Sequence, residues 1–164
     1  MTFPPLLVEG IAVPGITIRT YTEGDFPAVT EMERAGVHPA YRSAVFVRQM
    51  GELCPGTFFV AAAGERPVGY TIGAAVQDDP AHAWILRMVV QEAFRSCGIG
   101  TALIRTVMDA LQKRNARQIF LTVSPENPAA IRLYTHQGFV PVTCYPAYFG
   151  ADEDRIVMRK VLGR

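Results

Sequence analysis

Paired cysteines, a charge excess of either sign and long apolar runs are all missing from this sequence. Cys54, Cys97 and Cys144 are its three cysteines, an odd number with no Cys-x-x-Cys spacing. Neither a disulfide framework nor a structural zinc site is written into such a pattern, and no metal is expected. Reduced thiols in a cytoplasmic protein are the simplest reading. Sixteen Lys and Arg stand against fifteen Asp and Glu, a formal net charge of +1. A dedicated nucleic-acid binder carries a strong basic excess, so no nucleic-acid partner is expected. No stretch approaches the roughly 20 apolar residues of a membrane-spanning helix, which argues against a membrane partner. The apolar start is broken by Pro4, Pro5, Gly10, Pro14 and Gly15, and its first basic residue is Arg19, unlike a signal peptide.

What is present suits one small enzyme or binding domain. The chain has 164 residues, 49% of them hydrophobic, enough to fill one core. Charged residues make up 19%, too few for a solvated, disordered chain. An irregular arm over residues 1–15 precedes a single domain over 16–164, a monomer or homodimer.

Ile16–Thr20 alternates like a short strand, and Thr22 to Asp25 supply helix-start chemistry. Phe26, Val29 and Met32 form one face of a helix that stops near Gly36. Residues 37–56 are helical or looped, with a break at His38-Pro39. Thr57–Ala63 and Pro67–Val76 read as a hairpin, Asp78-Asp79-Pro80 as a turn, and Ala83–Val90 as a third strand. The strongest helix runs from Gly98 to Lys113, with Leu103, Ile104, Val107, Met108 and Leu111 as its buried stripe. Ile119–Val123 is a strand, Asn127–Gln137 a helix, and Phe139–Tyr145 and Arg155–Val161 are strands. Meander strands mixed with βα units imply an α/β (α+β) domain on one mainly antiparallel sheet.

Between the third strand and the strongest helix lies Arg95-Ser96-Cys97-Gly98-Ile99-Gly100-Thr101. Glycine permits φ > 0 and close approach of a ligand to the backbone. First-turn N–H groups have no intrahelical partner and sit at the positive end of the helix dipole. The segment is therefore a candidate site for phosphate or pyrophosphate, to which Arg95 adds a charge. A P-loop is excluded because no lysine follows Gly100, and the dinucleotide fingerprint lacks its third glycine and its acidic residue. The plainer reading is that Gly98 and Gly100 only allow tight strand–helix packing.

Arg-x-x-Gly-x-Gly after a strand and before an amphipathic helix resembles the acetyl-CoA signature of the GNAT acetyltransferase superfamily. The resemblance continues through Leu121-Thr122-Val123-Ser124-Pro125-Glu126-Asn127-Pro128-Ala129-Ala130-Ile131-Arg132-Leu133-Tyr134 and then Gly138-Phe139. It covers nearly everything except the N-terminal arm. The resemblance implies a GNAT fold in which the strand before the glycine turn splays from its neighbour. It assigns pantetheine pairing to Met88, Val89 and Val90, and the pyrophosphate to Arg95, Ser96, Cys97, Gly98, Ile99, Gly100 and Thr101. Asn127 is implied to contact the pantetheine. Tyr134 is implied to lie near the thioester sulfur and protonate the departing thiolate; the plainer alternative is a half-buried aromatic. A phenol of pKa about 10 is a plausible acid for a thiol near 8.5.

Some positions depart from the family pattern. Glu92 stands where many relatives carry proline, and Ser96 where many carry glycine. RimI-like N-terminal acetyltransferases often place Glu or His five residues before the Asn, where this chain has Thr122, which cannot accept a proton at neutral pH. Glu126, Glu33 and His82 are the alternative bases, each expected on the surface, and His38 and His136 have no better claim. An α-amine costs only about 1 kcal/mol to neutralise at pH 7, against roughly 4.6 kcal/mol for a lysine. The missing base therefore favours amines of low pKa.

Tyr145-Pro146-Ala147-Tyr148-Phe149-Gly150, followed by Glu153-Asp154 and Met158, resembles the RimI-type tail whose aromatics line a peptide groove. Alternatively those rings simply pack a hairpin. The expected activity is direct acetyl transfer from acetyl-CoA to a primary amine, either a protein N-terminus or a small molecule. A non-catalytic acyl-CoA-binding module is the rival from another class. A covalent route through Cys97 is discounted because no His partner is evident.

Overall fold

The computed structural model describes residues 13–36 and 40–163, and its elements follow the hydrophobic periodicity. In chain order they are β1 (Ile16–Thr20), α1 (Phe26–Gly36), α2 (Ala40–Leu53), β2 (Phe58–Ala63), β3 (Arg66–Val76), β4 (Asp79–Val90), α3 (Ile99–Gln112), β5 (Gln118–Val123), α4 (Pro128–His136), β6 (Val140–Tyr145) and β7 (Arg155–Val161). The seven strands are ordered β1-β2-β3-β4-β5-β7-β6. The β4–β5 pair is parallel, while β1–β2, β2–β3, β5–β7 and β6–β7 are antiparallel. This is the mainly antiparallel α/β sheet that the sequence implies.

Two elements differ from the sequence reading. The segment left open between helix and loop forms α2, where Ser43 and Val47, four residues apart, are buried and Arg42, Arg48 and Gln49 are exposed. His38 and Pro39 lie outside the described residues, as does most of the expected arm. Strand β4 starts at Asp79 rather than Ala83, so the turn before it shrinks to Gln77-Asp78. Proline is tolerated near a strand's beginning, where its missing N–H interrupts no central ladder, and Pro80 occupies such a place.

The chain divides into two compact units, one reaching Gly73 and including Arg87–Ala110, the other formed by Ala74–Leu86 and Leu111–Arg164. In the first, Phe58 to Ala62 of β2 are all buried, as expected of a strand covered on both faces. The α3 stripe Leu103, Ile104, Val107 and Met108 is buried as the sequence implies. Arg19 holds Asp25 through two hydrogen bonds of 2.6 and 2.7 Å, and the Thr22 N–H adds a third at 2.8 Å. Burial alone would raise the Asp25 carboxyl, but those hydrogen bonds and the Arg19 charge outweigh it and hold its pKa below the ordinary value.

In the second unit, Ile119, Leu121 and Val123 of β5 are buried while Gln118, Phe120 and Thr122 are half-buried, the alternation of a strand with one covered face. Parallel pairing of β4 with β5 runs through His82↔Gln118, Ala83↔Ile119 and Trp84↔Phe120 and ends there. Pairing of β5 with β7 continues to Val123↔Ile156. Ile85 and Leu86 therefore leave β5 while β5 stays with β7, which is the splay expected of this sheet.

Candidate active site

The glycine turn takes the conformation its composition requires. A single 3-10 turn, Glu92–Phe94, follows β4, and Arg95 Nε donates to the Val90 carbonyl at 3.1 Å. Ser96 (φ 61°) and Gly98 (φ 86°) are both left-handed on either side of Cys97. Such a sequence gathers successive N–H groups into an anion-binding concavity. The Gly98 carbonyl accepts the Ala102 N–H at 3.0 Å, so the N–H groups of Ile99, Gly100 and Thr101 precede the first helical bond. Among the described residues a Cβ placed on Gly98 would meet only Val13 Cγ2, at 3.8 Å, so those residues leave the backbone here open to a ligand. Main-chain donors, one guanidinium and an uncovered glycine fit a pyrophosphate. Ser96 occupies its left-handed position without glycine's freedom, at a cost of about 1–2 kcal/mol.

Met88, Val89 and Val90 are half-buried at the end of β4. Gly69 of β3 lies against them, where a Cβ would stand 3.0 Å from the Val89 carbonyl oxygen and 3.4 Å from Val90 Cγ2 and Leu103 Cδ1. This residue was not singled out in the sequence. Its signal was there, since a lone glycine inside an apolar strand marks close backbone approach.

Glu33 corrects an expectation. The sequence places it on the surface, yet it is 6% exposed. Its place one helical turn beyond Val29 and one residue after Met32 puts it on the buried face of α1. Oε2 accepts the Tyr70 hydroxyl, and Oε1 pairs with Arg87 Nη2 at 2.6 Å. Burial, then the adjacent Glu33 charge, push the Tyr70 phenol well above its ordinary pKa. The Arg87 guanidinium also lies 5.4 Å from the centre of the Phe46 ring.

The second unit carries the other candidates. Asn127 caps α4, its Oδ1 accepting the Ala130 N–H at 3.0 Å, with Pro128 at the first helical position. Tyr134, two turns on, is buried, and burial pushes its phenol up to about 12. Thr122 is half-buried on β5, while Glu126 and His136 are exposed, as expected. The His82 ring sits 5.7 Å from that of Phe120, and its Nδ1 is 2.5 Å from Asp79 Oδ2. Phe120 also stacks on Trp84 at 5.3 Å. Tyr145, Tyr148 and Phe149 remain 48%, 42% and 63% exposed, so they do not fill a hairpin core. Tyr148 stacks on Tyr145 at 5.5 Å and meets Phe149 edge-on at 4.8 Å. Among the described residues no helix is long and apolar enough to cross a membrane, and no cluster of three or more His, Cys, Asp or Glu is arranged to hold a metal ion.

Residues 38–139 match the acetyltransferase (GNAT) family. The chain belongs to that family. It is 31% identical over 144 residues to an uncharacterised N-acetyltransferase of Methanocaldococcus jannaschii, covering 87% of this chain and 90% of that one. It is also 28% identical over 146 residues to the ribosomal protein bS18-alanine N-acetyltransferase of Escherichia coli, covering 87% and 95%. Among solved structures, Ard1 from Thermoplasma volcanium superposes with a TM-score of 0.83 at 25% identity, over 92% of this chain and 99% of that one. As a GNAT enzyme the chain is an N-acetyltransferase, and acetyl-CoA is its acetyl donor. The Arg95–Thr101 turn and the splayed β4 are thus features of a GNAT chain whose geometry suits that donor.

Proposed function

We propose that this GNAT enzyme acetylates the free α-amine of a protein or peptide N-terminus. The observation that carries the reading is the exposed aromatic group Tyr145, Tyr148 and Phe149 between β6 and β7. Clustered exposed rings are a surface for docking an apolar partner chain, and a small hydrophilic amine has little use for them. The name of the Escherichia coli relative, an alanine N-acetyltransferase of a ribosomal protein, supports the same direction. Thr122 adds a chemical reason, because a site without a dedicated base tolerates an α-amine better than a lysine.

Acetyl-CoA supplies an activated thioester carbonyl to the attacking amine. In this reading the N–H groups of Ile99, Gly100 and Thr101, with Ser96, Cys97, Gly98 and the Arg95 charge, hold its pyrophosphate. The main chain of Met88, Val89 and Val90 pairs with the pantetheine as an added strand would, and its N–H groups polarise the carbonyl. Asn127 keeps its side-chain NH2 as a pantetheine donor, since its oxygen already serves the helix cap. The family resemblance assigns Tyr134 to the sulfur. Transfer of a proton from a phenol at about 12 to a thiolate whose acid lies near 8.5 is uphill by roughly 5 kcal/mol. Its hydroxyl therefore works chiefly as a hydrogen-bond donor to developing charge, and water completes the proton's passage.

The test is a comparison of peptides with a free α-amine against N-blocked peptides whose single amine is a lysine. Mass spectrometry locates the acetyl group and a thiol assay follows CoA release. Faster reaction of the α-amine at pH 7, with both rates rising with pH, is expected. Equal rates at pH 7 overturn the reading, and binding of acetyl-CoA without CoA release from any amine favours the non-catalytic alternative.

A further inference from the structure

Three side chains from three elements of the first unit meet, with Tyr70 and Glu33 buried and Arg87 36% exposed. Glu33 of α1 accepts the Tyr70 hydroxyl of β3 and pairs with Arg87 of β4 at 2.6 Å. Tyr70 is fully buried and Glu33 nearly so. A buried carboxylate is a poor device for stability alone, because well-packed apolar residues of similar volume generally do at least as well. Its place in the fold points to another use.

The place of Arg87 supplies one. It immediately precedes Met88, Val89 and Val90. Pairing of β4 with β5 ends at Trp84, so among the described residues no β5 ladder defines the main chain of Arg87–Val90. Its course is set from the other side. The Thr71 hydroxyl donates to the Arg87 carbonyl at 3.0 Å, and the Gln91 N–H donates to the Val68 carbonyl at 2.9 Å. Gly69 brings the β3 backbone close to the Val89 carbonyl between those two ties. The Arg87 side chain, gripped by Glu33 and laid over Phe46, anchors the near end of the same three residues.

We infer that Glu33, supported by Tyr70, is a positioning residue that clamps Arg87 and thereby holds the main chain of Met88–Val90 ready for the acetyl donor. The inference rests on the assignment of those three residues to the donor-binding strand. Glu33 acts through Arg87 and touches neither the amine nor the thioester.

The experiment uses Glu33→Gln, Arg87→Met, their double variant and Tyr70→Phe in the full chain. Amide hydrogen exchange of Met88–Val90 is measured without acetyl-CoA, followed by acetyl-CoA affinity and steady-state kinetics. Exchange at those three amides should quicken in every variant while the α3 amides keep their protection. Loosening the donor-binding main chain should raise the acetyl-CoA dissociation constant severalfold and lower kcat by about ten- to hundredfold. Because both single variants break one clamp, the double variant should lose no more kcat than the worse single. The pH–rate profile should keep its position. Unchanged exchange, multiplicative losses or a displaced acid limb in Glu33→Gln would each overturn the inference, the last by making Glu33 a proton acceptor. Tyr70→Phe removes one oxygen and keeps the ring, so unchanged exchange in it overturns the inference even if the other variants unfold. A wild-type chain that binds acetyl-CoA but ignores α-amines would instead sink the acceptor reading and leave the exchange result standing.

Discussion

The ring of Phe139 meets the ring of Tyr134 edge-on, with centroids 6.1 Å apart. A backbone motif brings them together. The Phe139 N–H donates to the Tyr134 carbonyl at 3.0 Å and the Gly138 N–H to the Thr135 carbonyl at 2.9 Å, with Gly138 left-handed at φ 85°. This is the glycine-terminated end in which the residue after the glycine packs back on the last turn of the helix. Gly138 and Phe139 therefore orient the side chain to which the resemblance gives the acid role.

Tyr134→Phe should keep the fold, because the ring and its contact with Phe139 are retained. Acetyl-CoA affinity should change little, while the single-turnover rate falls by about 10²-fold, the low end for a positioned proton donor. A rate within about threefold of wild type would leave Tyr134 as packing. The phenol itself should ionise near 12 in a wild-type-minus-variant ultraviolet titration, against about 10 for a free tyrosine. A raised acid contributes stability that is present below pH 10 and lost as the pH rises towards 12.

Gly98→Val should weaken acetyl-CoA binding by more than tenfold, since a branched residue at φ 86° is strained and its side chain covers the open backbone. Gly100→Val adds bulk beside the same N–H groups and should act in the same direction. Calorimetry showing wild-type affinity in either folded variant removes the turn from the donor site.

Gly69→Ala places a methyl group 3.0 Å from the Val89 carbonyl oxygen. The β3 and β4 backbones must move apart, so a loss of about 1–3 kcal/mol in stability is expected, as for other overpacked sites. Acetyl-CoA affinity should fall as well. Chemical denaturation and calorimetry on the same variant check both, and an unchanged affinity would detach Val89 from donor binding.

Asp25 sets part of the acid limit of the fold. Its carboxyl is held below the unfolded value, so its contribution is complete above about pH 4 and lost as the pH falls through the lower folded pKa. Asp25→Asn should cost about 1–3 kcal/mol at pH 7, as expected for hydrogen bonds to a charged group. The variant should also lose stability less steeply than wild type as the pH falls below about 4. Parallel pH–stability curves would remove the Arg19–Asp25 pair from the acid transition.

The parts of this protein legible in the sequence are those decided by neighbouring residues. The α3 stripe follows from 3.6-residue periodicity, the Arg95–Thr101 turn from glycine's access to positive φ, and the α4 boundaries from Asn127, Pro128 and Gly138. Each is a local constraint on backbone conformation or on the face a side chain presents. Glu33 shows the limit of such reasoning. Its position on the buried face of α1 was readable, but its fate depended on Tyr70 and Arg87 arriving from β3 and β4 with a hydroxyl and a guanidinium. The closeness of Gly69 to the Val89 carbonyl, and the burial that lifts the Tyr134 phenol, are of the same kind. Periodicity tells a side chain which way to point, whereas the group it meets, and the solvent it loses, are settled only when distant segments pack.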